Sequence, residues 1–151
     1  MENKIDEILN DLENKYPIKK TIFSDHKNEW IKLQSNVKKG KIGEDIIINY
    51  LNANKSGLYE YDVTTDTKRI EVKLSCLNES GYFKWLNIRI CDDYTHIALV
   101  GVMPEEIRLY LIPKDEMEHL KNLALGKRVD SNIKYLGLKP NHEWLIKYKI
   151  N

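Results

Sequence analysis

The sequence predicts an α/β fold opened by N-terminal helices, and three observations carry that reading. Ile70 to Ser75 alternate apolar and polar, the period of a strand with one face buried. Ile42, Ile46, Ile47, Tyr50 and Leu51 recur at the spacing of a helix that lays an apolar stripe on a sheet. His96 to Met103 and Ile107 to Ile112 are two further apolar runs of strand length, set around Pro104-Glu105-Glu106.

The chain begins with Ile5, Ile8, Leu9 and Leu12 in helical spacing over residues 2–15, and Pro17 separates that helix from the next segment. Trp30, Leu33 and Val37 suggest a second helix leading into the third, the striped one, for which Gly57 is the expected stop. Leu58 to Thr65, with Tyr59, Tyr61, Val63 and two threonines, is β-favouring, and Asp66-Thr67-Lys68 falls where a hairpin turn belongs. Beyond the strands, Pro113 suits a helix start, with Met117, Leu120, Leu123 and Ala124 facing inward and Gly126 as the stop. Glu143 to Ile150, alternating Trp144, Ile146, Tyr148 and Ile150, reads as a last strand. No repeat, low-complexity tract or linker interrupts the chain. One domain over residues 1–151 is therefore expected, with an N-terminal helical part (1–36), a core (37–113) and a C-terminal helix with strands (114–151).

The chemistry-bearing residues concentrate between Asp62 and Lys73. Glu71 and Lys73 share the polar face of their strand, about 6–7 Å apart along it. A tight hairpin with Thr65 opposite Lys68 sets Asp62 across from Glu71, and opposed side chains in an antiparallel pair point to one face. Two facing carboxylates repel unless something positive sits between them, and a divalent cation meets that need. Lys73 would lie beside such a site, able to orient a water or offset charge on a phosphate. A bland reading competes, because Glu-x-Lys on a strand face is also an ordinary solvated pair. A one-residue slip in the hairpin would turn Asp62 to the other face, and Asp66 is then the alternative acid. Glu44, near the expected start of the striped helix, reads from spacing alone first as a charge placed on the helix dipole.

Gly40-Lys41-Ile42-Gly43-Glu44 on a helix, then Tyr61-Asp62-Val63, then Ile70-Glu71-Val72-Lys73 on a strand, resembles the PD-(D/E)XK nuclease superfamily. Phe83-Lys84-Trp85-Leu86-Asn87-Ile88-Arg89 extends the likeness, with an aromatic and an amide or basic residue after the motif strand. Asp93 to Val102 is similar to the next core strand of those enzymes, so the resemblance spans roughly Val37 to Pro113, about half the chain. It implies a restriction-endonuclease-like core, a mixed β-sheet flanked by α-helices, carrying Mg²⁺-dependent phosphodiester hydrolysis with Mn²⁺ as a substitute. By that likeness Asp62 and Glu71 are the metal-binding acids, joined by the carbonyl of Val72. Lys73 is the motif lysine, and Glu44 the helix acid that supports the metal or its water. Tyr61 departs from the pattern, standing where the family's name has proline.

Composition sets bounds around this reading. The 151 residues, 42% hydrophobic and 31% charged, suffice for one proper core. Net charge is +1, so a grip on nucleic acid by bulk charge is not expected, and local patches matter more. Candidate DNA contacts are Lys38, Lys39 and Lys41, then Lys84, Asn87 and Arg89, with Lys127 and Arg128 as a further basic pair. Cys76 and Cys91 lack zinc or redox spacing, and His26, His96, His119 and His142 lack metal-site spacing, which argues against histidine-metal nucleases. His96, opening an apolar strand, is expected to be structural. Met1 to Asn10 is charged, and nowhere do about 18 apolar residues run together, so an intracellular protein without a membrane span is expected.

The expected function is thus a DNA endonuclease of restriction type, with a Holliday-junction or repair nuclease as the alternative. Cutting both strands of a duplex takes two active sites, which favours a homodimer. Two competing classes are a nuclease-like fold that binds nucleic acid without cutting it and a plain protein-interaction domain.

Overall fold

The computed structural model describes residues 2–16, 19–89, 93–118, 125–127 and 133–151. Its elements are α1 (Glu2–Lys15), α2 (Glu29–Lys32), α3 (Asn36–Leu51), β1 (Asn54–Lys55), β2 (Val63–Thr64), β3 (Arg69–Cys76), β4 (Phe83–Arg89), β5 (His96–Val102), β6 (Ile107–Pro113), α4 (Lys114–Glu118), β7 (Leu125–Lys127), β8 (Ile133–Leu138) and α5 (Glu143–Ile146). They build an α/β fold on a mixed five-stranded sheet ordered β1-β2-β3-β5-β6, with a three-stranded sheet β4-β8-β7 beside it. β3 and β5 run parallel, and every other pairing is antiparallel.

β5 explains the layering. Ala98, Val100 and Val102 join the core formed with Phe23, Ile31, Ile47, Ile70 and Val72, while Ile97 and Leu99 join Phe83, Trp85, Ile88, Tyr110 and Leu136 on the other side. A strand buried on both faces reads as a continuous apolar run, as this one does. The sheets interlock where Trp85 Nε1 donates to the Val100 carbonyl at 3.0 Å. At Gly101 a Cβ would lie 2.6 Å from Phe83 Cζ, so only glycine admits the ring.

α3 begins earlier than its stripe implies. Ser35 caps it by accepting from the Lys38 N–H at 3.3 Å, and Asn52, in the left-handed region at φ 53°, ends it in place of Gly57. Gly43 and Ile47 form its buried face, with Ile46 and Leu51 partly covered and Tyr50 half-exposed. A Cβ on Gly43 would meet Leu74 Cβ at 3.2 Å, which measures how closely α3 lies on β3.

Several expectations need correction. α2 is a single turn that buries Ile31, and Trp30, Leu33 and Val37 are exposed. α1 spans residues 2–15 as expected, yet Ile5, Ile8, Leu9 and Leu12 are 43–63% exposed, so its stripe is left uncovered. Of Leu58 to Thr65 only Val63 and Thr64 pair as a strand. Gly126 lies inside β7, paired with Tyr135, and does not end a helix. Glu143–Ile146 is a helical turn, started by the Trp144 N–H donating to His142 Nδ1; only beyond it does the chain run along β6, where Lys149 bridges Tyr110. His96 sits at the head of β5 with Nδ1 2.9 Å from Thr95 Oγ1, and burial lowers its pKa. Pro17, Cys91, His119, Leu120, Leu123, Ala124 and Arg128 lie outside the described residues, as does the Lys127 side chain. Among the described residues no helix is long and apolar enough to cross a membrane.

Candidate active site

The hairpin register places the acids. Val63 pairs with Ile70 and Thr64 with Arg69, and the Thr65 N–H closes the turn on the Lys68 carbonyl at 2.9 Å. That is the register expected from the sequence, and it carries Asp62 to the level of Glu71. β2 stops there. Among the described residues, β3 is paired from Glu71 onward through β5 on one side only, which leaves an open strand edge along the segment that bears the polar residues. Asp62 partly closes that edge, because its Oδ2 accepts the Val72 N–H at 2.8 Å.

Two clefts meet over this edge. The first, of about 450 Å³, is walled by Lys32, Asn36, Lys39 and Glu44 from the helices, Glu71 to Cys76 from β3, and Lys84, Leu86 and Asn87 from β4. The second, of about 620 Å³, is lined by Leu58, Tyr59 and Arg89. Asp62, Glu71, Lys73 and Asn87 line both, so the acids and the lysine stand at the junction. Asn87 reaches it through a β-bulge: the β4–β8 register shifts between Trp85 and Ile88, and Asn87 adopts a left-handed φ of 58°. Bulges of this kind re-aim side chains, and left-handed non-glycine residues persist only where the surroundings hold them.

The electrostatics follow from crowding acids out of water. Lys73 Nζ lies 3.2 Å from Glu71 Oε1. Even so the Glu71 carboxyl is pushed up to about 7, first by burial and then by repulsion from Asp62, against the pull of Lys73. Glu44 moves up for the same two reasons, with Lys55 on β1 opposing. Glu44 stands well inside α3, which starts at Asn36, so the helix-dipole reading of this residue fails. Cys76, a free thiol in the first cleft, is raised by burial.

The structure thus brings Glu44, Asp62, Glu71, Val72 and Lys73 together, with Lys39, Lys84, Asn87 and Arg89 around them. It does not bring Lys38 or Lys41, which are exposed and line neither cleft. Asp66 is exposed in the turn. Among the described residues no group of three or more His, Cys, Asp or Glu forms a preassembled metal cage. Sequence reasoning missed Lys32, Asn36 and Tyr59. Lys32 belongs to the single turn of α2, Asn36 opens α3 upstream of its apolar stripe, and Tyr59 falls in a run that reads as strand. No protein-family model matches this chain, and no curated protein gives a significant match.

Proposed function

We propose that this chain is a Mg²⁺-dependent DNA endonuclease with a restriction-endonuclease-like core, for which Mn²⁺ can substitute. The observation that carries the reading is the convergence of Glu44 on α3, Asp62 before β2, and Glu71 and Lys73 on β3 on one cleft. The donors suit a hard cation: all are oxygens, and Mg²⁺ usually takes only one or two carboxylates while keeping waters and substrate oxygens, so a three-acid cage is not required. Asp62 and Glu71, with the Val72 carbonyl, would hold it. When bound, such a cation polarises the phosphate and lowers the pKa of a water.

The chain's own residues supply the remainder. The Val72 N–H fixes the Asp62 carboxylate in place. Lys73, resting on Glu71, positions the attacking water and offsets negative charge as it develops on the phosphate. Glu44, beside Asp62, can accept a proton from that water. Lys39 and Lys84 hold flanking phosphates, which orient the strand without reading its sequence. Cutting both strands of a duplex calls for two such sites, so a homodimer belongs to the proposal.

The test is incubation of supercoiled plasmid and labelled oligonucleotides with Mg²⁺, Mn²⁺, Ca²⁺ or EDTA. Cleavage is expected with Mg²⁺ and Mn²⁺ and not in EDTA, and it should vanish in folded Asp62→Ala and Lys73→Ala. Undiminished cutting by either variant would overturn the residue assignment. Absence of Mg²⁺ or Mn²⁺ binding in calorimetry, with DNA affinity unchanged in EDTA, would favour a non-catalytic binder.

A further inference from the structure

Tyr59 is the most exposed large side chain in the wall of the second cleft, 79% accessible, and Leu58 beside it is 62% accessible. Leu58 and Tyr59 stand side by side, so the cleft wall carries a small exposed apolar patch beside the acids. The ring is nonetheless held. The Arg89 guanidinium lies 5.1 Å from its centroid, and Arg89 Nη1 donates to the Tyr59 hydroxyl. A ring braced by a cation on one side and open to solvent elsewhere presents a flat, electron-rich platform. The platform shares its cleft with Asp62, Glu71 and Lys73.

We propose that Tyr59 is a stacking platform for an unpaired nucleobase next to the scissile phosphate, so that the site takes splayed, forked or single-stranded DNA in preference to intact duplex. This rests on the nuclease reading above and names its substrate class. Bases inside a duplex have both faces occupied by their neighbours, so a ring can stack only on a base that has left the helix. Stacking tolerates any base because each has a π-face, so Tyr59 selects for strand state and not for sequence. Asn87, aimed into the same junction by the β4 bulge, offers an amide to the edge of a base so held. Leu58 supplies an apolar margin that a base, unlike a phosphate, can cover.

The experiment is fluorescence anisotropy in Ca²⁺ at fixed salt, comparing a blunt duplex with the same duplex carrying a short unpaired arm that has 2-aminopurine at the junction. The wild type is expected to favour the forked DNA by about tenfold, the effect of one base–aromatic stack, and to quench 2-aminopurine. Tyr59→Ala should remove both the preference and the quench while leaving duplex affinity unchanged. Tyr59→Trp and Tyr59→Phe should retain them, because the ring and not the hydroxyl is the platform. Equal affinity for both DNAs, equal weakening of both by Tyr59→Ala, or an unchanged quench would overturn the proposal. Mg²⁺-dependent cutting of the forked DNA with no dependence on Tyr59 overturns the platform and leaves the nuclease. Tyr59-dependent quenching without any cleavage does the reverse.

Discussion

The pair of Glu71 with Lys73 and the pair of Glu105 with His26 are built alike and behave in opposite ways. Glu105 Oε1 lies 2.6 Å from His26 Nδ1, and its carboxyl is lowered, chiefly by that hydrogen bond. Glu71 Oε1 lies 3.2 Å from Lys73 Nζ, and its carboxyl is raised. The side chain of Glu105 is 62% exposed and that of Glu71 is 13%. Surroundings, and not the distance to a basic partner, therefore set the sign. At the surface water already stabilises the charge and a partner adds a little, whereas in the cleft lost hydration and the nearby Asp62 outweigh a full ammonium. Carboxylates left in such a position have an unmet demand for positive charge.

The widest separation between the two pairs should come from activity. Glu71→Gln, Asp62→Asn and Lys73→Ala are each expected to lower Mg²⁺-dependent cleavage by roughly 100-fold or more in a gel assay, while Glu105→Gln leaves it unchanged. Equal losses would erase the distinction between cleft and surface.

Next in size is the pH dependence of the metal-free protein. Because the folded-state value for Glu71 is raised from 4.5 to about 7, the folded protein holds a proton there that the unfolded chain releases. This contribution to stability is complete below the unfolded value and lost as pH rises through about 7, and Glu44 acts in the same direction. The melting temperature in EDTA should therefore fall between about pH 5 and pH 8, and Asp62→Asn should flatten the fall. Mg²⁺ should restore more at the upper pH, since proton and cation compete for the same oxygens.

A packing change sharpens the comparison by separating fold from chemistry. Gly101→Ala sets a Cβ against the fully buried Phe83 ring and should cost about 1–3 kcal/mol in urea melts, while the folded fraction still cleaves. The smallest effect belongs to His26→Ala, which should leave both melting temperature and cleavage at wild-type values because its pair is solvated.

The hairpin was legible in the sequence because two local signals agree. The alternation along Ile70 to Ser75 and the turn chemistry at Asp66-Thr67-Lys68 favour one register over a one-residue slip, and the pairing of Val63 with Ile70 adopts it, putting Asp62 beside Glu71. Glu44 was placed in the right helix but in the wrong part of it, since Ser35, a cap residue upstream of the apolar stripe, starts α3 earlier. The alternation at Trp144 to Ile150 misled because period two over so short a run does not exclude a helical turn. Local bonds from His142 and the docking of Tyr148 and Ile150 on β6 decided that segment. Sequence could not reveal how distant segments share one wall. That β4 leaves the main sheet to pair with β8, carrying Lys84, Asn87 and Arg89 to the acids, depends on contacts far apart in the chain. Tyr59 escaped notice for a related reason, because an aromatic in a β-favouring run looks buried until its exposure is known.

The separation of β4 from its partner also bears on when the cleft comes into being during synthesis. The β2–β3 and β5–β6 hairpins join neighbours in sequence and can form early, so Asp62, Glu71 and Lys73 meet soon after they are made. β4 cannot find its ladder until β8, which begins at Ile133, has left the ribosome. A nascent chain therefore carries the acids on an open edge from the time Lys73 emerges until Ile133–Leu138 follows, and only then acquires that wall of the cleft.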